Sequence, residues 1–470
     1  MQNKQFDVAV LGGGPGGYPA AIRLAQGGKK VALIEEKEVG GTCLNRGCIP
    51  TKCLLSSVSL FREINRAEVF GLHVDGVSAD WPKMISNKDG VVDKLLSGLQ
   101  GLIRSNGIEI IKGRGTLVSA QEIEVSGENA LRVQAEEIIL ATGSEPRDLA
   151  ALPVDGDRIH SPTTLLHLKE LPESIAIVGA GAIGCEFASM FAGLGVKVFL
   201  IEALPRILPL ECESVSWAVT QGFQQDDIEI LCNEKVVETE IQGKSVELSL
   251  SGGKILHTSI VLSAVGRALN TEHIGLETVG VHMERGVVIT DDRMQTNIDT
   301  IWAVGDITAR AMYAHAATHQ GFVAADNILG HAAYMSYEAI PRAIFTKPEV
   351  GCVGMSLLEA KERGFSAKLG SFPFQALGRA QASFHTEGFA QIVIEKESGR
   401  ILGAQVVGTH AGDIVAELVV AITNELTVEC LTESVHIHPT FTESCMEAAA
   451  IVQDAPLHFP KQMLHTVQKG

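Results

Sequence analysis

Two cysteines five positions apart lie in the run Gly40-Gly-Thr-Cys43-Leu-Asn-Arg-Gly-Cys48-Ile-Pro-Thr-Lys52. Thiols this close can carry redox chemistry. A disulfide forms when their Cα atoms come within about 4.4–6.8 Å, and exchange with another disulfide requires a thiolate. Five residues rotate a regular helix by about 500°, so the pair would not share a face of an undistorted helix. A distorted first turn could still bring them into range, and a neighbouring helix N-terminus lowers a thiol from its usual pKa of about 8.5. The spacing is not that of a zinc pair, and no second pair follows. Taken alone, the segment also reads as two buried cysteines in a glycine-rich turn.

A second chemical cluster stands near the C-terminus, in His436-Ile-His438-Pro-Thr-Phe-Thr-Glu443. A histidine with a carboxylate to orient it can act as a general base. Alternate histidines on one strand could equally hold a metal or face solvent, and no third ligand is evident, so no metal site is expected.

The elements that position these groups are repeated. Phe6–Leu11 is a short Val-rich run that reads as a buried parallel strand. It leads into Gly12-Gly-Gly14-Pro-Gly-Gly17, a helical pattern, the strand Val31–Ile34 and Glu35. Ile175–Val178, Gly179-Ala-Gly181-Ala-Ile-Gly184, a helix, Val196–Ile201 and Glu202 repeat the unit. The first glycine allows a tight turn, the second lets the backbone approach a pyrophosphate, and the third lets helix pack on strand. The helix N-terminus attracts phosphate, and the acid accepts from a ribose. Two such units imply two dinucleotides and electron transfer between a resident and a visiting cofactor. Glu202 would repel the extra phosphate of NADP, so the visitor reads as NAD; Arg206 is a weak counter-signal. Pro19 would break a helix interior, so the first helix is expected to start late.

Beyond the repeats, residues 80–110 show a helical pattern. Ile138–Gly143, Val261–Arg267 and Ile301–Asp306 read as strands ending in turns. From about residue 340, segments such as Ile392–Glu395, Leu402–Val407 and Ile414–Ile422 suggest a separate domain. The whole chain has 470 residues and a net charge of −18. That size fits several domains, and the charge argues against a nucleic-acid or polybasic membrane-surface binder. No apolar run approaches the roughly 18 residues of a membrane span, and no signal-like N-terminus is seen, so a cytoplasmic protein is expected. Nine cysteines, an odd number, argue against a secreted disulfide framework.

Together these motifs resemble the pyridine nucleotide–disulfide oxidoreductases, most closely their dihydrolipoamide-oxidising branch. The likeness rests on both fingerprints, Gly40–Lys52, Ala141-Thr-Gly143, Val304-Gly-Asp306, Ala314–Gly321, Thr346-Lys-Pro-Glu349 and His436–Glu443. It implies an α/β fold with two Rossmann-like dinucleotide-binding domains, a central domain and an α+β C-terminal dimerisation (interface) domain. The implied divisions are an FAD-binding domain at 1–149, an NAD-binding domain at 150–269, a central domain completing the FAD site at 270–341, and the interface domain at 342–470. It also implies tightly bound FAD, NAD, and a homodimer in which each site borrows the other subunit's histidine.

On this resemblance Cys48 faces the flavin and Cys43 meets the substrate dithiol. His438 is the base that Glu443 orients, and Lys52 pairs with Glu186 beside the flavin ring. The FAD contacts implied are Gly12, Gly14, Gly17, Glu35, Thr42, Lys52, Gly115, Thr142, Gly143, Asp306, Met312, Ala314 and His315. Those for NAD are Gly179, Gly181, Gly184, Glu202, Val236 and Gly266. Asp306 could instead cap a helix. Cys53, Cys185, Cys212, Cys232, Cys352, Cys430 and Cys445 match no role and are read as small buried residues. The implied partners are lipoyl and peripheral subunit-binding domains of 2-oxoacid dehydrogenase or glycine cleavage complexes. Alternatives are a glutathione-reductase-like NAD(P)H-dependent disulfide reductase and a flavin-bearing structural subunit. A mercuric-reductase-like member would carry a further cysteine pair in the tail, and residues 459–470 have none.

Overall fold

The structure, a computed structural model, describes residues 2–127 and 130–460; most of the cysteine-free tail (461–470) lies outside the described residues. The first unit runs β1 (Gln2–Leu11), α1 (Gly17–Gln26), β2 (Val31–Glu35), α2 (Gly41–Arg46), α3 (Cys48–Asn65) and α4 (Trp81–Ser105). It continues through β3 (Glu109–Lys112), β4 (Arg114–Ser119), β5 (Glu122–Ser126) and β6 (Leu131–Leu140). Strands β3, β2, β1 and β6 lie side by side and parallel. The N-terminal half of β6 pairs antiparallel with β5, and its C-terminal half pairs parallel with the short strand Ile301–Ala303. Residues after 270 therefore complete the first sheet.

Strand side chains alternate between faces. Val8 and Val10 pack on Ala20, Ala21, Leu24 and Ile103, whereas Ala9 and Leu11 pack on Leu117, Ile123 and Val133 of the meander. Both faces are covered, which is why the strand reads as an unbroken apolar run.

The first helix does not start late. It begins at Gly17, and Pro19 is buried within its first turn. N–H groups there have no intrahelical acceptor, so proline forfeits no hydrogen bond.

The second unit comprises β7 (Ile159–His160), β8 (Ser174–Val178), α5 (Ala182–Gly193), β9 (Lys197–Glu202), α6 (Glu213–Gln225), β10 (Glu229–Cys232) and β11 (Ile260–Ser263). Its parallel sheet has the order β10-β9-β8-β11-β7. A three-stranded antiparallel meander over residues 236–258 covers one face, setting Val246 and Leu248 against Ala176 and Val178. On the other face Ile175 and Ile177 join Phe187, Phe191 and Phe223, in a cluster that also takes in Leu54, Val58 and Trp81 of the first unit. The chain enters and leaves this unit through a two-stranded ribbon, Ser144–Pro146 paired antiparallel with Arg267–Leu269.

Helix α7 (Ala314–Ile328) returns against α1, so closely that a Cβ on Gly321 would lie 2.4 Å from the Gly16 carbonyl oxygen. The last part holds β12 (Arg342–Ile344), β13 (Val350–Gly354), β14 (Ala367–Pro373), β15 (Gly388–Glu395), β16 (Ile401–Gly408), α8 (Ala411–Thr423) and α9 (Glu443–Val452). Its antiparallel sheet, ordered β12-β13-β16-β15-β14, packs Ile392, Ala404 and Val406 against Ile414, Leu418, Ala448 and Ile451 of the two helices.

One expectation needs correction. Only Cys185, Cys352 and Cys445 of the seven remaining cysteines are buried; Cys430 is exposed, and Cys53, Cys212 and Cys232 are half-buried. His436 and His438 lie in an irregular segment rather than a strand, because Pro439 withholds the N–H that a ladder would need. Among the described residues no helix is long and apolar enough to cross a membrane.

Candidate active site

The cysteine segment lies directly on the first glycine turn. Gly40 adopts φ +92°, a left-handed conformation that favours glycine, and a Cβ on Gly41 would come within 2.7 Å of Gly14 Cα. The Asn45 side chain steadies the turn, donating to the carbonyls of Val39 (3.0 Å) and Gly41 (2.9 Å). Helix α2 then breaks at Gly47 and α3 restarts at Cys48, with Thr51 Oγ1 donating to the Gly47 carbonyl at 2.7 Å. The two cysteines thus meet across a kink between two helices rather than along one.

Both thiols are free and half-buried, and Cys43 donates a hydrogen bond to the Cys48 sulfur. This bond and the nearby Lys52 charge outweigh burial and lower Cys48 from the ordinary thiol value to about 7. The same bond, with burial, pushes Cys43 far above it. Cys48 is the sulfur that holds charge and Cys43 the one that holds the proton. Alkylation of Cys48 in the reduced protein should rise with pH, as the thiolate forms, and level off above about 7. Peptide mapping at each pH checks this; a rate still climbing at pH 9 would contradict the assignment.

Lys52 stands one helical turn after Cys48 on α3. Its ammonium reaches both Glu186 oxygens at 2.8 Å, and Glu186 is itself buried in α5. The Phe345 backbone N–H donates to the same carboxylate at 3.0 Å. Sequence reasoning missed Phe345, although it directly precedes the Thr346–Glu349 motif.

His438 Nδ1 is paired with Glu443 Oε1 at 2.8 Å, and Thr440 N–H donates to Glu443 Oε2 at 2.8 Å. The side chain is 75% exposed, and among the described residues its hydrogen-bond partner is Glu443, which orients the ring. His436 faces inward, its Nε2 3.0 Å from Glu417 Oε1. Among the described residues no hydrogen bond or ion pair joins His438 to either cysteine, and no group of three or more acidic, Cys or His side chains could hold a metal.

The two nucleotide turns have matching geometry. Glu35 accepts from Gly13 N–H at 2.7 Å and Lys37 N–H at 2.7 Å, and Glu202 accepts from Ala180 N–H at 2.7 Å and Leu204 N–H at 2.9 Å. A Cβ on Gly17 would meet the Gly12 carbonyl oxygen at 1.9 Å, as one on Gly184 would meet that of Gly179. A Cβ at Gly181 would meet nothing within 4 Å, so backbone there is open to a ligand. Bare helix N-termini with a fixed carboxylate at the next strand's end suit dinucleotides, and the residues present therefore fit both cofactors.

The other expected contacts fall nearby or along the same units. Thr142 Oγ1 donates to the Asn270 carbonyl at 2.7 Å, and Gly143 takes φ +71°. Asp306 does not cap a helix: it lies within the short turn Gly305–Thr308, accepts from Ser144 Oγ at 2.5 Å and is 3.8 Å from Arg267. Met312 is exposed, Ala314 opens α7, and His315 stacks on Tyr313. Thr42 is in α2 beside Gly47, and Gly115 packs on Leu11 and Ile34. Val236 is buried at the start of the second unit's meander, and Gly266 directly precedes the ribbon strand Arg267–Leu269. Glu202→Ala should lower the preference for NAD over NADP about tenfold, the worth of one or two hydrogen bonds. Comparing kcat/KM for both coenzymes tests this; an unchanged ratio removes Glu202 from ribose recognition.

Residues 6–321 match the family profile described as pyridine nucleotide-disulphide oxidoreductase, and residues 340–449 match that family's dimerisation domain. A dihydrolipoyl dehydrogenase of Chlamydia muridarum is 47% identical over 461 residues, covering 97% of this chain and 99% of the relative. One of Zymomonas mobilis is 38% identical, again covering 97% and 99%. The crystal structure of LpdA from Mycobacterium tuberculosis superposes with a TM-score of 0.90 at 27% identity, covering 96% of this chain and 99% of that one. The flavoprotein disulfide reductase RclA of Escherichia coli does so at 0.87 and 26%, covering 96% and 100%. With a first nucleotide unit, the dithiol, a second nucleotide unit and a dimerisation domain following one another along it, the chain belongs to the pyridine nucleotide–disulphide oxidoreductase family.

Proposed function

We propose that the chain oxidises dihydrolipoyl groups to the cyclic disulfide, with FAD as resident and NAD as visiting cofactor. The observation that carries this reading is the dithiol itself: Cys43 in one short helix and Cys48 at the start of the next flank the Gly47 kink as free thiols, with the Lys52–Glu186 pair one turn further on. The 47% identity to a dihydrolipoyl dehydrogenase supports the substrate class. The divisions 1–149, 150–269, 270–341 and 342–470 serve as FAD, NAD, central and interface domains.

His438 of the partner subunit takes a proton from one substrate thiol, and Glu443 holds the ring for the transfer. The substrate thiolate attacks Cys43 in the oxidised Cys43–Cys48 disulfide, forming a mixed disulfide and releasing Cys48 as thiolate. His438 gives up the first proton to solvent and takes that of the second substrate thiol. The second sulfur attacks the mixed disulfide while the base returns its proton to the departing Cys43. Product leaves as the cyclic disulfide, and Cys43 leaves as a thiol. Two electrons have then passed from substrate to the cysteine pair. FAD, held by the Gly12–Gly17 turn, Glu35 and the Asp306 region, supplies when bound the hydride chemistry that links this pair to NAD. The Gly179–Gly184 turn and Glu202 orient the NAD, and Lys52 with Glu186 keeps a cation at the dithiol.

The dimer completes each site, and lipoyl domains of 2-oxoacid dehydrogenase or glycine cleavage assemblies, with their peripheral subunit-binding domains, are the proposed partners. The proposed compartment is the cytoplasm. Anaerobic titration of the FAD-loaded protein with dihydrolipoamide, followed by NAD or NADP, tests the reading. A long-wavelength absorbance band that appears with dihydrolipoamide and is discharged by NAD, but not NADP, is the expected result. Reduction only by NADPH, with discharge by a different disulfide, would move the chain to the glutathione-reductase-like alternative.

A further inference from the structure

We propose that Phe345 is a positioning residue for the reactive dithiol: its ring and its backbone N–H clamp the Lys52–Glu186 pair, so the cation beside Cys48 is held by the dimerisation part of the chain. The proposal deepens the reading of Cys43 and Cys48 as the redox pair, and rests on it.

Phe345 follows β12 directly. Its ring centroid is 4.6 Å from Lys52 Nζ, within cation–π range, while its N–H donates to Glu186 Oε1 at 3.0 Å. One residue of the dimerisation part therefore contacts a cation from α3 and an anion from α5. The residue is 38% exposed, so burial alone gives little reason for an aromatic side chain there. What the ring offers, and an aliphatic side chain of similar size lacks, is a negative face for the ammonium.

The surrounding segment is fixed independently of the ring. Arg342 makes a bidentate pair with Glu211 at 3.0 and 3.1 Å, and Lys347 N–H donates to Ser189 Oγ at 3.1 Å. A Cβ on Gly222 would lie 2.4 Å from Pro348 Cδ, so the following turn sits tightly on α6. Replacing the ring should leave the backbone, and its N–H to Glu186, in place. The groups that act on Cys48 are Cys43 from α2, Lys52 from its own helix and Glu186 from α5. Lys52 favours the thiolate and Glu186 opposes it, so a lysine free to swing away leaves the opposing carboxylate behind.

The test follows Cys48 alkylation against pH in the anaerobically reduced, FAD-loaded dimer, with peptide mapping to assign the site. In Phe345→Leu the midpoint should move upward by about half a pH unit, the scale of an exposed cation–π contact, and Phe345→Tyr should restore the parent value. Flavin content and dimer mass report folding, and Phe345→Met serves as a second ringless variant if the leucine variant fails to fold. A midpoint unmoved in the ringless variants, or moved equally in Phe345→Tyr, overturns the clamp. A shift confined to the ringless variants, in a parent that does not oxidise dihydrolipoamide, keeps the clamp and removes the proposed substrate.

Discussion

Serine at position 48 should leave a folded, FAD-loaded protein that oxidises dihydrolipoamide some four to six orders of magnitude more slowly than the parent. A hydroxyl is nearly isosteric with a thiol, and Cys48 is only half-buried at the start of α3, so stability should change little. Chemically the change is complete. Serine cannot form the disulfide that accepts the substrate's two electrons, and its hydroxyl stays protonated where the Cys48 thiol ionises near 7. Cys43→Ser should be equally slow. The double variant should be no slower than either single one, because the two sulfurs act as one unit. Steady-state turnover with flavin content as control measures this; turnover within tenfold of the parent in either single variant would remove the dithiol from the reaction.

His438→Gln should lower turnover about 10²- to 10⁴-fold, the usual worth of a positioned general base, while leaving thermal stability near that of the parent because the ring is mostly exposed. Glu443→Gln should cost less, since the carboxamide can still accept from Nδ1–H but does not stabilise a charged ring. The sharper experiment concerns where the histidine acts. A Cys43→Ser chain and a His438→Gln chain are each defective in every site of their own homodimers. In a mixed dimer, the intact Cys43 of one chain would face the intact His438 of the other. Co-refolding the two should restore close to half of parental turnover per mixed dimer. If His438 served its own chain's cysteines, mixing would restore nothing. The matched dimerisation domain and the exposed Val435 and Ile437 on either side of His436 favour the first outcome.

Much of this was legible from local residue patterns. Val8 and Val10 on one face and Ala9 and Leu11 on the other announce a doubly covered strand, and the glycine turns follow from backbone approach that no side chain permits. The Gly47 kink was less visible, because a five-residue spacing says only that one regular helix will not do. Pro19 misled for a related reason: a proline penalty depends on whether an N–H has an acceptor, and that depends on the first turn's position. Phe345 was hidden because its partners, Lys52 and Glu186, are 293 and 159 positions away in sequence, and nothing local marks an aromatic residue as the seat of a distant lysine. His438 and Glu443 could be read as a pair, but their distance from the cysteines within one chain is a property of the fold.

The ribbon at 144–146 and 267–269 ties the second nucleotide unit to the rest by only two strands, an attachment that in many enzymes acts as a door hinge. Here the door is glued to its frame. Leu54, Val58 and Trp81 share one apolar cluster with Phe187 and Phe191, Lys88 donates to the Leu166 carbonyl at 2.7 Å, and Lys52 is bonded to Glu186 across the same seam. Swinging the unit open would wet that cluster and strip a buried carboxylate of its cation. Coenzyme exchange that leaves this seam intact runs through movements of side chains and loops instead of a swing of the whole unit.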